Sequence, residues 1–278
     1  MSKYNFYIIG SGLQGASAAS ILSKLDFSDK IILGDINFDS AVKVSRKIGS
    51  DKVIPLKVDA SNIDSLCEVD EDVDVVLNFT NPRFNINIMK TALKLSAHYL
   101  DTASGPDLDL NPIDYMVSRQ FELDYEFKDA RLKALISCGY TPGLSNVIAR
   151  LIIDRLIRVD RVKFRAAYSP IIKADPFTKL FNKYSEIMSP TWSPEVSFLY
   201  RATNPVTYEN GMYIRHPPFS EPEVFKFPDP IGETVTVLVD HEEPVTLPRF
   251  IKGLKYVDYK NAPDIIAYAL IKIDFTRV

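Results

Sequence analysis

Six residues near the start of the chain, Gly10-Ser11-Gly12-Leu13-Gln14-Gly15, have the spacing G-x-G-x-x-G. A continuous apolar run, Tyr4–Ile9, stands directly before them, and an Ala/Ser/Leu-rich stretch of helical character, Gln14–Leu25, carries on from their end. In a strand–turn–helix setting each glycine has a physical task. Gly10 permits the tight turn, Gly12 lets the backbone approach a pyrophosphate, and Gly15 lets the helix lie close to the strand. The helix N-terminus then offers unpaired N–H groups and a partial positive charge to phosphates. The second apolar run ends in Gly34-Asp35, twenty residues beyond Gly15. An acid there accepts hydrogen bonds from both hydroxyls of an adenosine ribose and repels a 2′-phosphate. No Lys or Arg occurs within Ile36–Ser40, so the pattern favours NAD over NADP.

Other residues able to do chemistry fall at the ends of later apolar runs, the edge of a parallel sheet where ligands bind. Asp59-Ala60 closes the third run, at the adenine rim, and Asn78-Phe79-Thr80 closes the fourth, on the nicotinamide side. Asn78 and Thr80 fit ordinary helix capping equally well. Asp101-Thr102 closes the fifth run, where Asp101 can orient a ligand or cap the following turn. Tyr140–Asn146 leads into a helix whose N–H groups can hold a carboxylate or the nicotinamide amide. In the second half, His241 and Glu242 end an alternating run. An imidazole with a pKa near 6.5 suits proton shuttling, while a surface-loop histidine is the plainer outcome. Arg165 and Arg201 can grip a carboxylate with two parallel hydrogen bonds. Trp192 can wall a substrate or plug a domain interface. Cys138 reads as a small packing residue.

The elements that must position these groups change character along the chain. The first half alternates strands (Tyr4–Ile9, Lys30–Leu33, Val53–Val58, Val73–Phe79, Tyr99–Asp101, Ala134–Cys138) with helices (Gln14–Leu25, Phe38–Ile48, Ile63–Cys67, Phe84–Ser96, and one near Ile113–Leu132). Near-continuous apolar strands between helices belong to a parallel sheet covered on both faces, a doubly wound α/β or Rossmann sheet. Most of the 18 prolines lie from Pro142 onward, which breaks that alternation. After a helix at Leu144–Leu156, the strand candidates Arg158–Ala167, Val206–Tyr208, Met212–Ile214, Glu223–Phe227, Thr234–Val239 and Leu254–Tyr259 alternate polar and apolar residues, and Asn210-Gly211 marks a tight hairpin. The expected division is a dinucleotide-binding domain over 1–142 and an α+β domain over 143–278.

Composition excludes several classes. In 278 residues, 33 Lys plus Arg stand against 36 Asp plus Glu, for a formal charge of −3. No basic run supports nucleic-acid or anionic-membrane binding. No apolar stretch approaches the roughly 18 residues of a membrane span. Cys67 and Cys138 match no metal spacing, and no metal is expected. They read as reduced thiols, so a cytoplasmic protein is expected.

Taken in order, the glycine loop, His98-Tyr99-Leu100-Asp101-Thr102-Ala103, Cys138-Gly139-Tyr140-Thr141-Pro142-Gly143-Leu144-Ser145-Asn146, Trp192-Ser193-Pro194-Glu195 and His241-Glu242-Glu243-Pro244 resemble the saccharopine dehydrogenase-like family, which includes lysine 6-dehydrogenase and carboxynorspermidine dehydrogenase. The resemblance implies a Rossmann domain, an α+β substrate and dimerisation domain giving a homodimer, and NAD(P)-linked chemistry at a C–N bond of an amino-acid or polyamine-like substrate. It also implies that the substrate lies between the strand ends at Asp101 and Gly139–Gly143 and a face carrying Trp192 and His241, with Asp101, Thr141, His241 and Glu242 as the catalytic set. The family proper has an aspartate at the position of Thr141 and a tyrosine in the stretch of Ala103 and Ser104, which argues against saccharopine itself as substrate. The alternative implied is a shortened, non-catalytic dinucleotide-binding paralogue.

Overall fold

The computed structural model describes residues 3–105, 116–167, 196 and 200–262. The chain divides into two units, Met1–Ile148 and Ala149–Val278.

The first unit alternates β1 (Tyr4–Ile9), α1 (Leu13–Leu22), β2 (Ser28–Asp35), α2 (Phe38–Ile48), β3 (Val53–Lys57), α3 (Ile63–Cys67), β4 (Val75–Asn78), α4 (Asn85–Lys94), β5 (His98–Asp101), α5 (Met116–Glu122), α6 (Asp124–Asp129) and β6 (Ala134–Leu135). The six strands are parallel, in the order β3-β2-β1-β4-β5-β6. The order reverses between β1 and β4, which opens a crevice at their carboxyl ends. β1 is apolar from Phe6 to Ile9, where both of its faces are covered. Tyr7 and Ile9 join one core cluster with Ile88 and Met89 of α4, while Phe6 and Ile8 join another with Ala19 of α1 and Ala41 of α2. Each fully buried Ile or Leu there contributes about 1.5–3 kcal/mol. Local signals agree with the packing at α2. The Asn37 side chain accepts from Ser40 N at its start, and Gly49 at φ 67° ends it.

Two elements of this unit differ from expectation. β6 stops after two residues because Ser137 adopts φ 54°, in the left-handed region, which takes the chain out of the sheet. The long helix expected near Ile113–Leu132 is α5 and α6, interrupted at Leu123, and its first residues lie outside those described.

The second unit takes Ala149 and Ile153 from α7 (Leu144–Ile153). It continues with β7 (Arg161–Ala166), β8 (Val206–Glu209), β9 (Met212–Arg215), β10 (Glu223–Lys226), β11 (Glu233–Leu238), α8 (Glu243–Phe250) and β12 (Tyr256–Asn261). Its sheet has the order β10-β11-β12-β8-β9 with antiparallel neighbours, and β7 pairs in parallel with β12. Val257 of β12 packs with Ala149, Leu247 and Leu254, whereas the alternate residue Asp258 hydrogen-bonds Arg165. Asn210 and Gly211 both have positive φ, 48° and 94°, as a two-residue hairpin turn requires. α8 was not expected, since Pro244 and Pro248 both argue against a helix. Pro244 falls in the first turn, where a missing N–H costs nothing. This is the doubly wound sheet followed by an α+β unit. Trp192 lies outside the described residues, among which no helix is long and apolar enough to cross a membrane.

A Cβ at Gly15 would stand 1.8 Å from the Gly10 carbonyl oxygen, whereas one at Gly12 would meet nothing within 4 Å. Gly15→Ala is therefore expected to cost on the order of 1–3 kcal/mol or more through overpacking, and Gly12→Ala a small fraction of that. Urea denaturation of both variants checks this, and equal midpoints would contradict the close approach.

Candidate dinucleotide site and a buried histidine cluster

The glycine loop is built by contacts that exclude side chains at two positions and leave a third open. Gly10 has φ 100°, donates to Gly34 O at 2.8 Å, and would press a Cβ to 2.8 Å from Phe79 O. Gly15 is buried against Gly10. Gly12, the N-cap of α1, faces open space, and Leu13 and Gln14 beside it are exposed. An exposed backbone at a helix N-terminus, with room where a Cβ would stand, fits the pyrophosphate of a dinucleotide.

Asp35 ends β2 half-buried and latched to this loop. Its Oδ2 accepts from Ser11 N and Ser11 Oγ, each at 2.7 Å, and its Oδ1 accepts from Asn37 N at 2.9 Å. Ser11 Oγ also lies 2.9 Å from Ser40 Oγ on α2, a residue the motif does not name. Ile36, 65% exposed, adjoins this carboxylate. Asp59 and Ala60 do not close β3, which ends at Lys57; they lie in the turn before α3. There Asp59 Oδ1 accepts from Ser61 Oγ and Ser61 N, bonds that hold its pKa below the ordinary carboxylate value.

On the other side of the crevice the strand ends are joined by buried polar groups. Asn78 Oδ1 accepts from Thr80 N at 2.9 Å and from Thr80 Oγ1 at 2.7 Å, while its Nδ2 donates to Asn85 Oδ1 and to the Tyr99 hydroxyl. Asp101 is 1% exposed. Its Oδ2 accepts from Tyr99 OH at 2.9 Å and Gln120 Nε2 at 2.5 Å, and its Oδ1 from Ser137 N at 2.6 Å. The side chain braces the ends of β5 and β6 from inside. The turn after β6 has a cis Thr141–Pro142 bond and Gly143 at φ 121°. Thr141 is half-buried within it, Gly139 N donates to Pro142 O, and a Cβ at Gly139 would meet Thr102 O at 2.6 Å. Cys138 is exposed rather than packed, and desolvation followed by the Asp101 charge pushes its thiol pKa up. Asn85, Ser104, Gln120 and Ser137 carry no motif. Their one signal is a Gln four residues after Met116 on an otherwise apolar helix face.

In the second unit, His241 is buried, not a surface-loop residue. Its ring stacks between Tyr200 and Tyr259, with centroids 5.1 and 3.9 Å away. Nδ1 hydrogen-bonds Glu243 Oε2 and lies 3.4 Å from Glu242 Oε2, and Glu242 Oε1 accepts from Tyr200 OH at 2.5 Å. Burial alone would lower the imidazole pKa; Glu243, then Glu242 and Asp240, more than offset it, so it lies above its ordinary value. Among the described residues, His241, Glu242 and Glu243 are the one trio whose donor atoms, all within 4.8 Å of one another, can hold a metal, and hydrogen bonds inside the protein already engage Nδ1 and the Glu243 carboxylate. Arg165 does fork onto a carboxylate, but that of Asp258, with Nη1–Oδ1 at 2.7 Å and Nη2–Oδ2 at 3.0 Å. Its guanidinium is thus engaged inside the protein.

A doubly wound sheet with an open glycine cradle at its order reversal defines a dinucleotide-binding unit. More particularly, residues 6–135 match the family model of the saccharopine dehydrogenase NADP binding domain, the family that the motifs resemble. The chain is 26% identical over 251 residues to carboxyaminopropylagmatine dehydrogenase from Synechocystis sp., covering 89% of this chain and 59% of that one. It is 24% identical over 237 residues to carboxynorspermidine synthase from Vibrio cholerae, covering 79% and 53%. The apo structure of saccharopine dehydrogenase (L-Glu forming) from Saccharomyces cerevisiae shares the fold, with a TM-score of 0.66 at 16% identity over 93% of this chain and 54% of that one. The chain thus spans little more than half the length of these relatives.

A histidine whose folded pKa is raised takes up protons on folding. Its stabilisation is complete below the unfolded pKa of about 6.5 and is lost as pH rises through the folded value. Urea midpoints of the second unit's transition should fall from pH 6 to pH 9, and Glu243→Gln should flatten that slope. Parallel slopes in the two proteins would remove Glu243 as the cause.

Proposed function

We propose that this chain is an NAD-preferring oxidoreductase acting on a C–N bond of an amino-acid or polyamine-like substrate, working in the cytoplasm as a homodimer through its second unit. The observation that carries the reading is the open backbone at Gly12 joined through Ser11 to the Asp35 carboxylate, within a saccharopine dehydrogenase-like NAD(P)-binding domain. The names of the relatives, a carboxyaminopropylagmatine dehydrogenase and a carboxynorspermidine synthase, support the substrate class. The two free cysteines support a reducing compartment.

The cofactor supplies the hydride acceptor or donor, and the residues of the chain bind, orient and handle protons. Gly10–Gly15 holds the pyrophosphate through backbone N–H groups, and Asp35 Oδ1, which takes one hydrogen bond from Asn37, accepts from the adenosine ribose. Leu13 and Ile36 cover the adenosine with exposed apolar surface, and Asp59 and Ala60 line the adenine rim. Asn78, Phe79, Thr80 and Thr102 line the nicotinamide side. Asp101 positions the turn carrying Thr141, which meets the substrate. His241 exchanges the amine proton at Nε2 while Glu243 holds Nδ1 and Glu242 stabilises the imidazolium, because carboxylates around a buried imidazole favour its charged form.

Calorimetric titration with NAD and NADP, followed by an absorbance screen at 340 nm against lysine, saccharopine, opine-type amino acids and carboxylated polyamines, tests the reading. Tight NAD binding with turnover on an amine is the expected result. Binding without turnover identifies the non-catalytic paralogue, and failure to bind either nucleotide overturns the proposal. Asp35→Arg should reverse the preference toward NADP; unchanged selectivity would strike out its ribose role. His241→Ala should lower turnover about 10²-fold or more with nucleotide affinity retained, the size of a general acid–base contribution.

A further inference from the structure

Four side chains and one backbone N–H close a ring beneath the nicotinamide side of the crevice. Gln120 Nε2 donates to Asp101 Oδ2 at 2.5 Å, and Ser137 N donates to Asp101 Oδ1 at 2.6 Å. Ser104 Oγ donates to Gln120 Oε1 at 2.6 Å and lies 2.6 Å from Ser137 Oγ. The proton directions follow from chemistry. A carboxylate and an amide oxygen only accept, so the Gln120 amide has one orientation. The single Ser104 proton goes to Gln120, so Ser137 Oγ donates to Ser104 Oγ. Gln120 is 2% exposed, Ser104 0% and Asp101 1%.

The ring ties α5 to the segments that follow β5 and β6. It is anchored on Ser137, one of the few non-glycine residues at positive φ among the described residues, a strained backbone conformation that persists where its surroundings over-determine it. Ser137 leads directly into Cys138, whose N donates to Asp101 O, and into Gly139, which packs on the Thr102 carbonyl. The ring thereby sets where the Gly139–Gly143 turn stands against the end of β5.

We infer that Gln120 is a positioning residue for the nicotinamide half of the dinucleotide, acting through Asp101 and Ser137 without touching the ligand. The inference rests on the NAD(P)-binding reading above. The adenosine half is held at β1 and β2, away from the ring, so the two halves of the ligand should respond differently to its loss.

The test compares the affinities for ADP-ribose and for intact NAD by calorimetry. Gln120→Glu keeps the shape but sets two carboxylates against each other at pH 7.5. NAD binding should weaken ~10-fold, the order of a lost buried hydrogen bond, with ADP-ribose binding changed less than about twofold. At pH 5.5 the protonated glutamic acid donates to Asp101 Oδ2 as the amide did, and NAD affinity relative to the natural protein at that pH should recover. Ser137→Gly takes the same φ without strain, so it folds even if Gln120→Glu does not. It removes the Ser137 hydroxyl and should show the same selective loss. Equal losses for both ligands, or none for either in Ser137→Gly, overturn the inference alone. If the natural protein binds neither ligand, the functional reading falls and this one with it.

Discussion

The approach of α1 to β1 is the constraint on which the dinucleotide unit depends. The Gly10 carbonyl occupies the place where a side chain at Gly15 would begin, so the helix lies flush against the strand and its first turn is brought to the edge of the sheet. That one contact sets the rest of the edge. With α1 fixed, Ser11 is presented to the end of β2, where its backbone and hydroxyl both reach Asp35. With Gly10 turned at φ 100°, the Phe79 carbonyl after β4 closes over it at a distance that admits no side chain. Three strand ends are registered on a turn with almost no side chains, and Gly12 is left as the open position.

Much of this edge was legible in the sequence because its signals are local. Glycine spacing, an acid at a set distance and unbroken apolar runs each report on a short stretch of chain. α2 was readable to its end residues, since Asn37 and Gly49 are both capping types. The brace beneath the ends of β5 and β6 was not legible in the same way. Asn78, Asn85, Tyr99, Asp101, Gln120 and Ser137 come from five separate segments, and their hydrogen bonds exist only once the sheet has formed. Asp101 was recognisable as a strand-end acid, but nothing local distinguishes an acid facing a ligand from one turned inward. α8 was hidden for a different reason: proline counts against a helix in any window average, and its tolerance in the first turn depends on knowing where the helix starts.

The second unit contains two buried electrostatic arrangements with opposite consequences. Around Arg165 each acid meets a cation: Asp258 and Glu223 pair with Arg165, and Glu223 and Glu221 with Lys260, all within 3.5 Å. These pairs hold β7, β10 and β12 together. Around His241 the arrangement differs. Asp240, Glu242 and Glu243 crowd one imidazole, with Arg215 4.0 Å from Asp240, and the protonated forms of both His241 and Asp240 are favoured. Raised pKa values at His241 and Asp240, with the ring held between Tyr200 and Tyr259, separate the histidine cluster from the arginine fork.

The first strand of the chain is also the middle of its sheet, paired with β2 on one side and β4 on the other. During synthesis β1 leaves the ribosome before either neighbour. One of its edges stays open until Val75–Asn78 has been made and has crossed over β1 and β2 to reach it. Until then a strand of six residues, apolar on both faces from Phe6 to Ile9, has an unpaired hydrogen-bonding edge of the kind that recruits other chains. The nascent chain therefore passes through a stage in which the future centre of the nucleotide domain is its most aggregation-exposed part, and association with chaperones should be concentrated in that interval of elongation.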